Sequence, residues 1–232
     1  MHEVVEKFGS EQAARVMRRA DQLNAAVDGV AERRLRSVAA AARGTRKKLF
    51  WLQRASDLVG QAATKTGVAP CKTGCAHCCH QSVQMTRAEA EEIARVSGRE
   101  ISTAPARSYA LREMLRDEDG EELLALREGA AQAYTGKPCP FLNASKACSI
   151  YEARPLTCRL HLSLADDDGP CKLSGEQGGQ TGAWVPYVDV TMRQVASLSV
   201  LGLNQVIADV RDWFPEKSGG DQALPLSRSR KL

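Results

Sequence analysis

Eight cysteines carry the most distinctive chemistry in this 232-residue chain: Cys71, Cys75, Cys78, Cys79, Cys139, Cys148, Cys158 and Cys171. They fall into two segments. The first is a tight C-x3-C-x2-C-C run inside the Gly- and Pro-punctuated stretch GVAPCKTGCAHCCH, and the second spreads its four cysteines at separations of eight, nine and twelve residues. Clustered thiols in a reduced protein bind metal or do redox work, whereas an extracellular chain would pair them as disulfides. Metal-bound cysteines are thiolates, so eight around a single Zn²⁺ would leave a charge of about −6, more than a protein interior tolerates. The arrangements that balance are two four-thiolate zinc sites, one iron–sulfur cluster with spare cysteines, or a site that also recruits histidine.

Cys78 and Cys79 have Cα atoms about 3.8 Å apart, but neighbouring side chains diverge by roughly 100° in a helix and oppose each other in a strand. The two therefore do different jobs. Zinc modules usually present two CxxC knuckles, and only Cys75-Ala76-His77-Cys78 has that spacing here. Cys139-Pro140 matches the Cys-Pro pair of bacterial ferredoxin clusters. An iron–sulfur cluster or iron is favoured, with zinc as the alternative.

Three of the four histidines, His77, His80 and His161, lie within three residues of a cysteine, where an imidazole can complete a metal shell or move a proton. Arg154 and Arg159 stand where a guanidinium could offset thiolate charge. Phe141, Leu142 and Tyr151 are the expected apolar shell. Pro155 closes any helix begun at Ile150 and aims Cys158. The acidic triplet Asp166, Asp167 and Asp168 reads as solvated.

The elements that must position these groups are mostly helical. Val16, Leu23, Val27 and Val30 recur at helical spacing, a second helix is expected over 33–59 with a break at Gly44, and T-R-A-E at Thr86 opens a capped helix over 87–96 after a short extended QSVQM piece. Residues 98–137 read as mainly helical, with Leu111, Met114, Leu115, Leu123, Leu124 and Leu126 as apolar positions. Val190 to Trp213 returns to helical spacing through Met192, Val195, Leu198, Leu201, Ile207 and Val210. The expected fold is mainly α, with an irregular cysteine-rich metal-binding core enclosed by helices. Its parts are a basic helical region over 1–66, a cysteine-cluster domain over 67–172, a C-terminal helix over 185–216 packed on it, and a flexible tail over 217–232.

A hydrophobic fraction of 43% and a charged fraction of 26% describe a globular chain long enough to bury a core, which excludes disordered and fibrous classes. No apolar run reaches the roughly 18 residues of a membrane span, and Glu3 and Glu6 stand where a signal peptide needs basic residues. The expected location is cytoplasmic. Residues 1–66 hold 13 Lys+Arg against 7 Asp+Glu, and Arg33, Arg34, Arg36, Arg43, Arg46, Lys47, Lys48 and Arg54 run without an intervening acid. This run reads first as a solvated helical face and second as an adaptor surface. Aromatics make up only 5% and do not interleave with it, so nucleic acid is not the expected partner, and Trp51, Trp184 and Trp213 read as core or interface anchors. The partner left open is an unidentified protein or small molecule. No phosphate-binding Gly loop or Ser-His-Asp order is present.

The segments CKTGCAHCCHQSVQMTRAEAEEI and PCPFLNASKACSIYEARPLTCR together resemble the CxxCxxCC (YkgJ-like) cysteine-cluster family of zinc- or iron-chelating domains over about residues 71–171. One departure is the three residues between Cys71 and Cys75. The resemblance implies that all eight cysteines are metal-site candidates. It leaves open an iron–sulfur redox or group-transfer, methylase-like enzyme. The Cys71-x3-Cys75-x2-Cys78 spacing also resembles radical S-adenosylmethionine enzymes, but that family surrounds its cluster with strand–helix units that this chain lacks.

Overall fold

Three helices open the chain, and each boundary has a local cause. In the computed structural model, which describes residues 10–71, 74–114, 125, 129, 132–134, 136–167, 171 and 197–216, α1 spans Ser10–Ala26 and buries Val16, Ala20 and Leu23 along one face. Helix α2 (Gly29–Ala41) starts where the Asp28 carboxylate accepts from the amides of Val30 and Ala31. That new start redirects the chain, so Val27 is buried but Val30 is 71% exposed, contrary to the expected continuous face. Helix α3 (Thr45–Thr66) follows. The expected break falls at Gly44, whose φ of +84° only glycine adopts without strain, while the flanking helices extend past 33 and 59.

The basic run is partly absorbed within the fold. Arg36 bridges to Glu32 at 2.9 Å and donates to Ser197 Oγ at 2.7 Å. Lys48 donates to the Val200 carbonyl at 3.2 Å, Arg46 pairs with Glu92 at 3.3 Å, and Arg54 lies over the Phe50 ring.

The second half is built on a small antiparallel sheet in the order β1 (Gln84–Thr86), β3 (Val206–Asp209), β2 (Tyr109–Ala110). Central β3 pairs Met85 with Ala208 on one side and Tyr109 with Ile207 on the other. Helix α4 (Arg87–Ser97) leaves β1 through the expected capping box, in which Thr86 accepts from the Glu89 amide and Glu89 reaches back to the Thr86 amide. Glu89 is buried and also accepts from the Leu156 amide at 2.7 Å, tying α4 to the start of α6 (Leu156–Leu160). Between β2 and the second cysteine segment lies the single turn α5 (Leu111–Met114).

Two expectations are corrected. Residues 98–108 are irregular rather than helical, and the side chains of Leu111, Met114, Leu115, Leu123, Leu124 and Leu126 lie outside those described. The helix expected through 213 stops early: residues 197–201 are helical, but the chain then forms β3 and the single turn α7 (Val210–Trp213). A short apolar run such as Val206–Ala208 satisfies both periods, and pairing with two open strand edges selects the extended one. Ile207, Val210 and Leu201 are still buried as expected, by different elements. Met192, Val195, Trp184 and the tail lie outside the described residues.

The architecture is mainly α, with one small sheet among the described residues. One apolar cluster joins α1, α3 and α6 through Leu23, Val59, Leu160 and Leu164. A second gathers Met85, Ile93, Phe141, Ile150, Trp213 and Phe214, with Cys139, Cys148 and Cys158 packed against it. Leu49, Leu52, Leu156 and Leu201 form the third, with Trp51 at its edge. Among the described residues no helix is long and apolar enough to cross a membrane.

Candidate metal centre

Residues His77–His80 wind into one 3₁₀ turn, closed by the Cys79 amide donating to the Ala76 carbonyl at 3.0 Å. With three residues per turn, consecutive side chains leave the backbone about 120° apart, yet the Cys78 and Cys79 thiols still meet in a hydrogen bond, contrary to the expected separation of their roles. The turn is stitched directly to the second cysteine segment. The Cys139 amide donates to the Cys79 carbonyl at 2.7 Å, and the Gly136 amide donates to the His80 carbonyl at 2.9 Å. Sixty residues of sequence are thereby closed by two backbone hydrogen bonds.

Within the second segment a tight hairpin sets Cys148 beside the Cys139 turn. Leu142 bridges Cys148, the Leu142 amide donates to the Cys139 carbonyl at 2.9 Å, and Lys146 turns the chain at φ +58°. Pro155 then sits at the N-cap of α6, as its fixed φ favours, and places Cys158 in the middle of that helix. Further on, the Ser163 amide donates to Cys71 Sγ at 3.4 Å, and the same serine is hydrogen-bonded through its side chain to Cys171.

The thiols fall into two neighbourhoods that meet at Cys78. Cys71, Cys75 and Cys171 lie within electrostatic reach of one another around Ser163, and Cys139, Cys148 and Cys158 do so against the second apolar cluster. Cys78 acts on members of both. Cys171 is buried, Cys71 and Cys78 reach the surface, and the others are half-buried. All eight are free. Among the described residues, no group of three or more His, Cys, Asp or Glu side chains stands arranged to hold a metal ion.

Burial pushes the thiols of Cys71, Cys139, Cys148 and Cys171 above their ordinary range, and that of Cys158 well above it. Cys78 is raised first by its hydrogen bond with Cys79 and then by loss of water. The physical cause is the cost of a bare thiolate in a dry environment. A soft cation removes that cost by replacing the proton, which is the chemistry this donor set fits. Two cations already oppose it: Arg154 favours the thiolates of Cys78, Cys148 and Cys158, and Arg211 that of Cys139.

The other candidate residues divide. His80 Nδ1 lies 3.1 Å from the Ala76 carbonyl, so it carries the proton and Nε2 is the nitrogen left for other chemistry. His161 Nε2 is buried with no hydrogen-bond partner, and burial lowers its pKa, so the ring is neutral. His77 sits in the turn. Arg159 is not at the thiolates. It is buried, pairs with Asp57 at 2.6 Å, and donates to the carbonyls of Arg154 and Glu152. Phe141 is buried as expected and Leu142 half-buried, but Tyr151 is 56% exposed and serves instead as a platform 4.1 Å beneath the Arg154 guanidinium. Asp166 pairs with Arg15 and Arg19. Asp168 lies outside the described residues.

The residue that reading the sequence missed is Arg211. It lies 40 residues beyond Cys171, in a stretch whose only pattern is apolar, and nothing local marks it.

Against known proteins, no curated protein and no solved structure matches the chain significantly. The model of one family, described as "Putative zinc- or iron-chelating domain", matches residues 70–177. That segment contains all eight cysteines and the turns that hold them. Over residues 70–177, just under half of its length, the chain is therefore similar to the CxxCxxCC family of zinc- or iron-chelating domains.

Proposed function

We propose that this protein holds a thiolate-bound metal centre, with Cys71, Cys75, Cys78, Cys79, Cys139, Cys148, Cys158 and Cys171 as its ligand set and an iron–sulfur cluster or iron as the favoured occupant. The observation that carries this reading is the seam between the two cysteine segments, where the Cys139 amide meets the Cys79 carbonyl at 2.7 Å. A chain using these cysteines as isolated small apolar residues has no need to bring the segments together. Two features support iron over zinc: the single CxxC knuckle and the wide spacing of the later cysteines. The positive charge of Arg154 and Arg211 supports an anionic centre of either kind. The reading sets the protein in the cytoplasm, where thiols stay reduced.

Elemental analysis with an absorption spectrum on anaerobically purified protein tests it. The expected result is stoichiometric iron with a visible sulfur-to-iron absorption band. Colourless protein holding only zinc would replace iron by zinc. Folded, metal-free protein with eight titratable thiols would end the reading.

A further inference from the structure

Arg211 and Asp209 lie outside the matched segment 70–177, yet they hold together the two places where its cysteines meet. The Arg211 side chain is 9% exposed, and its two terminal nitrogens fan out to three backbone carbonyls. Nη2 donates to the Cys79 carbonyl at 3.1 Å and the Lys137 carbonyl at 2.6 Å, and Nη1 donates to the Gln81 carbonyl at 3.1 Å. Nη1 also donates to Asp209 Oδ1 at 3.1 Å. The other Asp209 oxygen accepts from Ser82 Oγ at 2.8 Å and from the Val83 amide at 2.7 Å. The guanidinium rests 5.4 Å from the Tyr134 ring centroid, which closes its remaining face.

We propose that Arg211, fixed by Asp209, is a positioning residue for the cysteine centre, a clamp that sets the separation of the Cys78–Cys79 turn from the Cys139 turn. This rests on the metal reading above, which supplies the reason for holding that separation constant.

The residue type follows from the geometry. Three carbonyls that converge on one point repel one another unless a donor array of matching shape fills the space. A planar guanidinium supplies several N–H groups in a rigid fork, and an ammonium on a flexible stem does not. Carbonyls bound at Cys79, Gln81 and Lys137 fix the backbone at or within two residues of Cys79 and Cys139, so loosening the fork moves sulfur atoms directly. The seam bond from the Cys139 amide to the Cys79 carbonyl shares its acceptor with Arg211.

The test uses the full chain with Arg211→Gln and Arg211→Lys, read by hydrogen exchange over residues 78–83 and 136–141 and by iron or zinc affinity in competition with a chelator. Leu49→Ala, in the cluster that α2 and α3 form with Leu156 and Leu201 and that includes neither Arg211 nor a cysteine, serves as a variant of lowered stability away from the clamp. Both Arg211 variants are expected to exchange faster in those two segments, to lose about 10–100-fold in metal affinity as partners outside the ligand shell typically do, and to shift the absorption spectrum. Leu49→Ala should keep local protection, affinity and spectrum. Unchanged affinity and spectrum in Arg211→Gln overturn the clamp, as does full rescue by Arg211→Lys. Equal loss in Leu49→Ala also overturns it, because stability alone would then explain the effect. A wild-type chain that binds neither metal sinks the reading on which the clamp rests, and exchange then judges the clamp alone: unchanged protection over 78–83 and 136–141 overturns it.

Discussion

Arg159 illustrates how a single residue can sit beside a cysteine and serve the scaffold instead. Its guanidinium is buried among the carbonyls of Arg154 and Glu152 and the Asp57 carboxylate. Arg159→Met should cost about 3 kcal/mol, toward the lower end for a broken buried pair because Asp57 retains 23% side-chain exposure. Urea denaturation checks this, and adding Asp57→Asn should recover part of the loss by removing the unpaired charge. His161 sets a pH dependence. Its folded pKa lies below the unfolded value of about 6.5, so stability is full above that pH and falls as the pH drops toward the folded value, because the unfolded chain takes up the proton first. Melting measured at about pH 7.5 and about pH 5.5 should show that loss, and His161→Gln should reduce it. The sequence marked both residues as candidates through their distance from a cysteine. Side-chain direction assigned their roles, and that depends on partners 102 residues away for Arg159.

At the scale of elements, Glu89 links one helix start to another. One carboxylate oxygen accepts from the Thr86 amide and hydroxyl and the other from the Leu156 amide. Glu89→Gln must turn an amide NH₂ toward one of those donors, and is expected to cost about 1–3 kcal/mol for the buried group left unsatisfied. A shift in the urea midpoint with unchanged slope checks it. Half of this device was legible, since Thr86 and Glu89 stand at capping-box spacing. The bond to Leu156 was not, because nothing local to either residue encodes contact across 67 positions. The same division explains the expected helix through residue 213. Its apolar spacing fits a helix until the edges of β1 and β2 claim Val206–Asp209 as their central strand.

For the molecule as a whole, the proposed centre and the fold should stabilise each other. Metal affinity becomes folding energy where the apo ligands carry buried, protonated thiols, and for structural zinc it amounts to roughly 10–16 kcal/mol. Chelation should therefore lower the melting temperature and expose residues 74–83 and 136–155 to exchange before the α1–α3 bundle, whose apolar clusters contain none of the cysteines. Melting indifferent to chelator would show that the centre adds nothing to folding. By itself the sequence determined the helical class, the capping box, the break at Gly44 and the likeness of the cysteine segment to a known family, because each is written in local residue types and spacings. Only the tertiary structure decided that the Cys79 and Cys139 turns share a seam, that Tyr151 faces outward beneath Arg154, and that Arg211 spans the junction. Those facts depend on which distant backbone groups meet, and chain closure over long separations leaves no periodic mark in the residues it joins.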